Sequence, residues 1–258
     1  MRRSLSMFVG LVGLATACSF GEPSSSPSTT LTVFAASSLA VAFDQIGRDF
    51  EAANPGVQVD FNFGSSTDLA AQIASEGTAD VFASANPLAM DAVATDPGVS
   101  DRTDFATNSL VIITPPDNPA QVLSLDNLTS PQVQIVIGAE GVPVGDYARQ
   151  MLRDEGIDHA VLTNVVSNEP DDASVVARVV RGEADAGIVY VSDAHAAGAS
   201  VMTVAIPPEV NVTATYPIAI AASAQQATVA ATFLAWVRGP AGQAVLRAQG
   251  FGPPPDGG

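Results

Sequence analysis

The sequence predicts an α/β fold of two lobes, each a mainly parallel sheet flanked by helices, joined by two strands. Short apolar runs such as Ala79–Ser84 and Gln134–Gly138 alternate with stretches whose apolar residues recur at three- and four-residue spacing, the mark of strands feeding helices. The 258-residue length fits one large domain or two smaller ones. Two apolar segments, near Asn108–Thr114 and Tyr216–Ala221, read as strands crossing between lobes. That reading assigns 31–108 and 218–254 to one lobe and 109–217 to the other.

The first element starts at Leu31-Thr-Val-Phe and breaks at Ala35-Ala36-Ser37-Ser38; Leu39, Phe43, Ile46 and Phe50 then mark one face of a helix. The turn sets two hydroxyls and the first free helix N–H groups at the carboxyl end of a strand, which suits an anion. A plain serine N-cap accounts for the same residues. Asn54-Pro55-Gly56 stops the helix, and Val57–Phe63 alternates as a strand. Gly64-Ser65-Ser66-Thr67 forms a second strand–serine–helix junction, with Leu69 and Ile73 inward. Ala79–Ser84 reads as a buried parallel strand, and Asn86-Pro87 opens another helix. From Phe105 a strand runs to Pro115-Pro116, and Leu123–Leu128 is a short helical piece. Gln134–Gly138 is a buried strand, after which Val142-Pro143-Val144-Gly145 opens a helix as a third junction. Glu169-Pro170-Asp171-Asp172 opens a fourth, whose Val175, Val176, Val179 and Val180 form one apolar face. Gly182–Tyr190 turns into a strand ending on a tyrosine; Met202–Ile206 and Ala214–Ala222 are further strands, and two helices close the chain. Ligands of such folds sit outside the carboxyl ends of strands. The serine junctions of one lobe therefore meet the Val144, Asp172 and Tyr190 segments of the other in a cleft.

Composition narrows the chemistry. All 10 basic residues are arginines, so a phosphate-loop lysine, a Schiff base and a Ser-x-x-Lys nucleophile are excluded. The two histidines, His159 and His195, and the single cysteine, Cys18, are too few for a His/Cys metal site, and no metal cation is expected. A Ser-His-Asp hydrolase would need one of those histidines, and the chain lacks a Gly-x-Ser-x-Gly elbow. A formal charge of −17 argues against nucleic acid as a partner.

Arg2-Arg3 followed by the apolar run Met7–Ala15 reads as a signal peptide over 1–17, too short to stay in a bilayer as an anchor. Ala15-Thr16-Ala17 suits ordinary signal-peptidase cleavage, and Cys18 directly after it suits lipidation instead, the favoured reading, although Ala15 stands where a lipoprotein signal commonly has leucine. Residues 18–30, rich in Ser and Pro, read as a lipid-anchored flexible tether. The folded part is expected outside the cytoplasm, held to the membrane by lipid only.

The segments TVFAASSL, FGSSTDLAAQI, ADVFASAN, NSLVIITP, VPVGDYA, GEADAGIVYVSDA and YPIAI, in this order, resemble the periplasmic molybdate-binding proteins of ABC importers, over about Leu31–Phe251. The resemblance implies a type II periplasmic-binding-protein fold. It implies a binding protein rather than an enzyme, with molybdate or tungstate as ligand, no cofactor, an ABC permease as partner and a monomeric state. It carries the oxyanion ligands onto Ser38 and Ser66, the backbone N–H groups of Val144 and Asp172, and the Tyr190 hydroxyl. Ser38 rather than Ser37 is the expected contact. Asp172 departs from the family pattern, where a small or apolar residue is usual, so its carboxylate must point outward or be neutralised. The alternatives are a binding protein for sulfate or phosphate, signalled by Asp172 facing the cleft, an exported serine hydrolase using Ser38 or Ser66, and an adhesin whose serine turns are mere caps.

Overall fold

The computed structural model describes residues 29–255, so the leader, Cys18 and most of the tether lie outside the described residues. The chain runs β1 (Thr29–Ala36), a 3-10 turn (Ser37–Leu39), α1 (Ala40–Ala53), β2 (Val57–Gly64), α2 (Ser66–Glu76), β3 (Val81–Ala83) and α3 (Pro87–Thr95). It continues through β4 (Val99–Thr114), a 3-10 turn (Leu125–Thr129), β5 (Ile135–Gly138), α4 (Pro143–Asp154), α5 (Asp158–Thr163), β6 (Val165–Glu169) and α6 (Asp172–Val180). The last part holds β7 (Ala186–Tyr190), α7 (Val191–Ala197), β8 (Met202–Ala205), β9 (Thr213–Ala221), α8 (Ala227–Arg238) and α9 (Pro240–Ala248).

The strands lie in the order β2-β1-β3-β9-β4-β7-β5-β6, with β8 also on β4. β1 pairs in parallel with β2 and β3, as does β5 with β6 and β7. The long strands β4 and β9 join these two parallel groups through antiparallel pairings. Residues Val99–Ser109 of β4 pair with β9, and Leu110–Thr114 pair with β7 and β8. β1 begins two residues inside the expected tether, because Thr29 and Thr30 already pair with Val57 and Gln58. β6 and α5 were not foreseen. β6 alternates only partly, and its apolar Val166 is exposed at a sheet edge, so the segment lacks the apolar signature of a strand.

Local chemistry explains the elements. In α1 the predicted stripe is the core face: Phe43, Ile46 and Phe50 are fully buried. Phe43 meets Phe61, Phe105 and Phe233 with ring centroids 5.9–6.1 Å apart, the spacing at which tilted and edge-on rings attract. Asn86 caps α3 by accepting from the Ala89 N–H at 2.9 Å, with Pro87 preset for the first turn. In α6 the buried stripe is Val175 and Val179, while Val180 is 46% exposed, so the valine face is narrower than the sequence pattern suggests. Among the described residues no helix is long and apolar enough to cross a membrane.

One buried carboxylate ties the sheet to the last helix pair. Asp80 accepts from the Thr32 N–H through Oδ2 at 2.9 Å, and from the Gln225 and Gln226 N–H groups through Oδ1 at 2.7 and 2.9 Å. Asp80→Asn turns an NH₂ toward one of these donor sets. We expect a loss of about 2 kcal/mol in urea unfolding, the cost of a charge-assisted bond replaced by facing donors.

Candidate functional site

A tight cavity of about 10 Å³ sits at the carboxyl ends of β1, β2, β3 and β7 and at the start of α2, α4 and α6. Its wall is Ala36, Ser37, Gly64, Ser65, Ser66 and Ala85 on one side, and Val142, Pro143, Val144, Asp172 and Tyr190 on the other. Two bonds cross between these sides: Ser37 Oγ donates to Asp172 Oδ1, and Thr67 Oγ donates to the Gly141 carbonyl at 2.6 Å. They hold the walls together.

The donor supply comes from backbone geometry. Neither α2 nor α4 has a side-chain cap at its N-terminus, so their first N–H groups keep their partial positive charge for whatever faces them. Two glycines bring α4 onto β5. A Cβ on Gly145 would lie 2.3 Å from the carbonyl oxygens of both Gly138 and Ala139, and one on Gly138 would lie 2.8 Å from Gly145 N. This backbone contact sets Val144, 1% exposed, into the cavity wall.

Three buried side-chain oxygens have no hydrogen-bond partner among the described residues: Ser65 Oγ, Asp172 Oδ2 and the Tyr190 hydroxyl. All three residues are on the cavity wall. Orphaned buried polar atoms are rare because each costs about 1–3 kcal/mol, so three around one small cavity mark a place built for a polar ligand. Ser66 Oγ accepts from the Ala85 N–H at 2.9 Å, which leaves its own proton free to donate. Burial pushes the Tyr190 hydroxyl well above the usual tyrosine range, so it stays protonated and can donate too.

Of the five predicted ligands, the structure brings Ser66, Val144, Asp172 and Tyr190 to one cavity, Ser66 from one side and the other three from the opposite side. Ser38 is the exception: Ser37 lines the cavity, while Ser38 Oγ pairs with the Tyr216 hydroxyl at 3.0 Å. The tight turn after β1 rotates successive side chains apart, and Ser38 faces the buried Tyr216 and Asn108, whose Nδ2 donates to Ser192 Oγ at 2.8 Å. Ser65, which sequence reasoning passed over for its neighbour, is the one with the unpaired hydroxyl.

Asp172 does not point outward. Its side chain is buried, with Oδ1 receiving the Ser37 hydroxyl and Oδ2 unpaired. An ionised carboxylate about 4 Å from a dianion would cost about 8 kcal/mol at an effective dielectric constant of 20, twice the unit-charge value. Neutralisation is therefore required if a dianion is to bind, and the surroundings favour it: desolvation raises the Asp172 pKa above the usual carboxylate range. Neither histidine is on the cavity wall; His195 lines a separate depression with Val111 and Val201, so a serine here has no adjacent imidazole base. Among the described residues no group of three or more His, Cys, Asp or Glu side chains could hold a metal ion.

Residues 31–252 match the family model described as bacterial extracellular solute-binding protein. The molybdate-binding protein ModA of Mycobacterium tuberculosis is 39% identical over 251 residues, covering 95% of each chain. Among solved structures, the periplasmic molybdate-binding protein of Azotobacter vinelandii superposes with a TM-score of 0.76 at 21% identity, covering 87% of this chain and 99% of that one. The sulfate-binding protein SubI of Mycobacterium tuberculosis gives 0.77 at 17% identity, covering 88% of both chains. At such identities the last two report the fold, and the fold alone does not choose the anion. Fold, family match and full-length identity agree: the chain belongs to the bacterial extracellular solute-binding proteins.

Proposed function

We propose that the protein captures molybdate or tungstate outside the cytoplasm and delivers it to an ABC permease, binding the anion without converting it. The observation that carries this is the ring of unpaired buried donors, Ser65 and Tyr190 with the free helix N–H groups, in a cavity with no cation on its wall. The 39% identity over nearly the full length to a molybdate-binding protein supports the choice of anion. A fully deprotonated tetrahedral oxyanion presents only acceptors and so fits a shell of donors, whereas a protonated one leaves an O–H unmet. The walls come together through bonds between groups far apart in sequence, Ser37 to Asp172 and Thr67 to Gly141, so ligands from both sides can drive closure about β4 and β9.

Calorimetric titration with molybdate, tungstate, sulfate and phosphate tests the reading. Tight binding of the first two supports it. Heat with sulfate or phosphate and none with molybdate or tungstate overturns it.

One observation favours a second reading. The unpaired Asp172 Oδ2 on the wall, if ionised, would accept a hydrogen bond from monohydrogen phosphate, and phosphate would then outcompete molybdate in the same titration. The anchor also belongs to the proposal: Cys18, the chain's single cysteine, carries lipid and holds a monomeric protein at the membrane. Cys18→Ser should abolish incorporation of a labelled fatty acid and release the protein into the soluble fraction.

A further inference from the structure

Asp172 and Asp193 form a buried carboxyl pair behind the cavity. The two residues are 6% and 8% exposed, and each carboxyl acts electrostatically on the other. Asp193 Oδ2 accepts from the Tyr190 N–H at 2.9 Å, which fixes that carboxyl beneath the strand end carrying the cavity tyrosine. The groups facing the pair from each packed element are Ser37 from the turn after β1, Asp171 at the start of α6, Tyr190 from β7 and Tyr216 from β9, with Tyr147 of α4 acting on Tyr190. None is a cation. Two interacting carboxyl groups, out of water and without a counter-ion, do not both ionise, so the pair shares a proton.

The directions agree. Burial raises both groups, and Asp193 lies well above the usual carboxylate range. In the free protein the pair therefore holds one proton between its two carboxyl groups.

We propose that the oxyanion brings a second proton with it: on binding, Asp172 becomes a neutral carboxylic acid that donates its Oδ2 hydrogen to an anion oxygen. This rests on the oxyanion reading of the cavity. Asp172 is a wall residue whose Oδ1 already receives the Ser37 hydroxyl, so its unpaired Oδ2 is the free corner of the carboxyl group. The proton comes from solvent, and no other bond changes. Asp172 then acts on specificity. A carboxylic acid donates more strongly to a more basic oxygen, so molybdate gains more than the weakly basic sulfate. Monohydrogen phosphate would demand the opposite, an ionised Asp172 as acceptor.

The sign follows from linkage. An anion that binds with a proton binds less tightly as the proton becomes scarce, so affinity falls as pH rises, by up to tenfold per unit where the free pair holds a single proton. Titrations of the wild-type protein with molybdate between about pH 6 and 9, in buffers of different ionisation enthalpy, should show uptake approaching one proton per anion and weakening affinity toward high pH. Asp172→Asn keeps a donor of the same shape with no proton to lose. It should bind molybdate with no proton uptake and no pH trend. Affinity that is flat across the range with no proton taken up by the wild type overturns the proposal, as does uptake that persists in Asp172→Asn. Should that variant fail to fold, the wild-type proton count still decides. A wild-type protein that binds no molybdate at any pH would instead overturn the oxyanion reading itself.

Discussion

The double variant Ser65→Ala/Tyr190→Phe should bind molybdate about 100- to 20,000-fold more weakly than the wild type while melting at the same temperature or higher. Each hydroxyl is a buried donor with no partner among the described residues. A hydrogen bond to a charged acceptor contributes about 1.5–3 kcal/mol, which is roughly 10- to 150-fold in affinity per donor. The stability term runs the other way. In the free protein these oxygens are desolvated without compensation, so removing them relieves a cost of up to about 1–3 kcal/mol each, worth about 2–4 °C in Tm per kcal/mol at this chain size. A merely structural role, as helix cap or core tyrosine, predicts the reverse: lower Tm and little change in binding. Parallel calorimetry and thermal melts separate the two, and a destabilised variant with wild-type affinity would sink the donor assignment.

The contrast between neighbouring serines shows how far a sequence can be read. Strand–serine–helix junctions are legible because period and breaker residues locate where a strand ends and a helix starts, and those ends do surround the cavity. Which of two adjacent serines faces the ligand depends on the dihedral angles inside a tight turn. No hydrophobic period reports those, and Ser37 and Ser65 take the wall positions expected of Ser38 and Ser66 or shared with them. Asp172 could be recognised as out of pattern, and its need for neutralisation followed from charge alone. Its partner Asp193 could not be found that way, since the two come together only because α6 and α7 start side by side at the ends of β6 and β7, the two strands that flank β5. The same holds for Asp80, whose three backbone donors come from β1 and the segment before α8.

Gly145→Ala should weaken molybdate binding at least about 100-fold and lower stability as well, because it attacks the geometry rather than a donor. The added Cβ would meet two backbone carbonyl oxygens at 2.3 Å, and neither is the free end of a flexible side chain. Relief requires α4 to lift from β5 by about 1 Å, since contacts between carbon and oxygen settle beyond about 3 Å. The surroundings resist that movement. Arg149 clamps the junction by donating to the Gly138 carbonyl at 2.7 Å and the Gly145 carbonyl at 3.0 Å, and Asp146 Oδ1 holds the Gly141 N–H at 2.8 Å. Overpacking of this kind costs about 1–3 kcal/mol, which a urea melt resolves. Whatever strain the fold absorbs, Val144 moves with the first turn of α4 and shifts from its place in the wall. Binding should therefore fall further than stability does. Wild-type affinity in a folded Gly145→Ala protein would mean that the first turn of α4 does not touch the anion, and the cavity would have to be read without it.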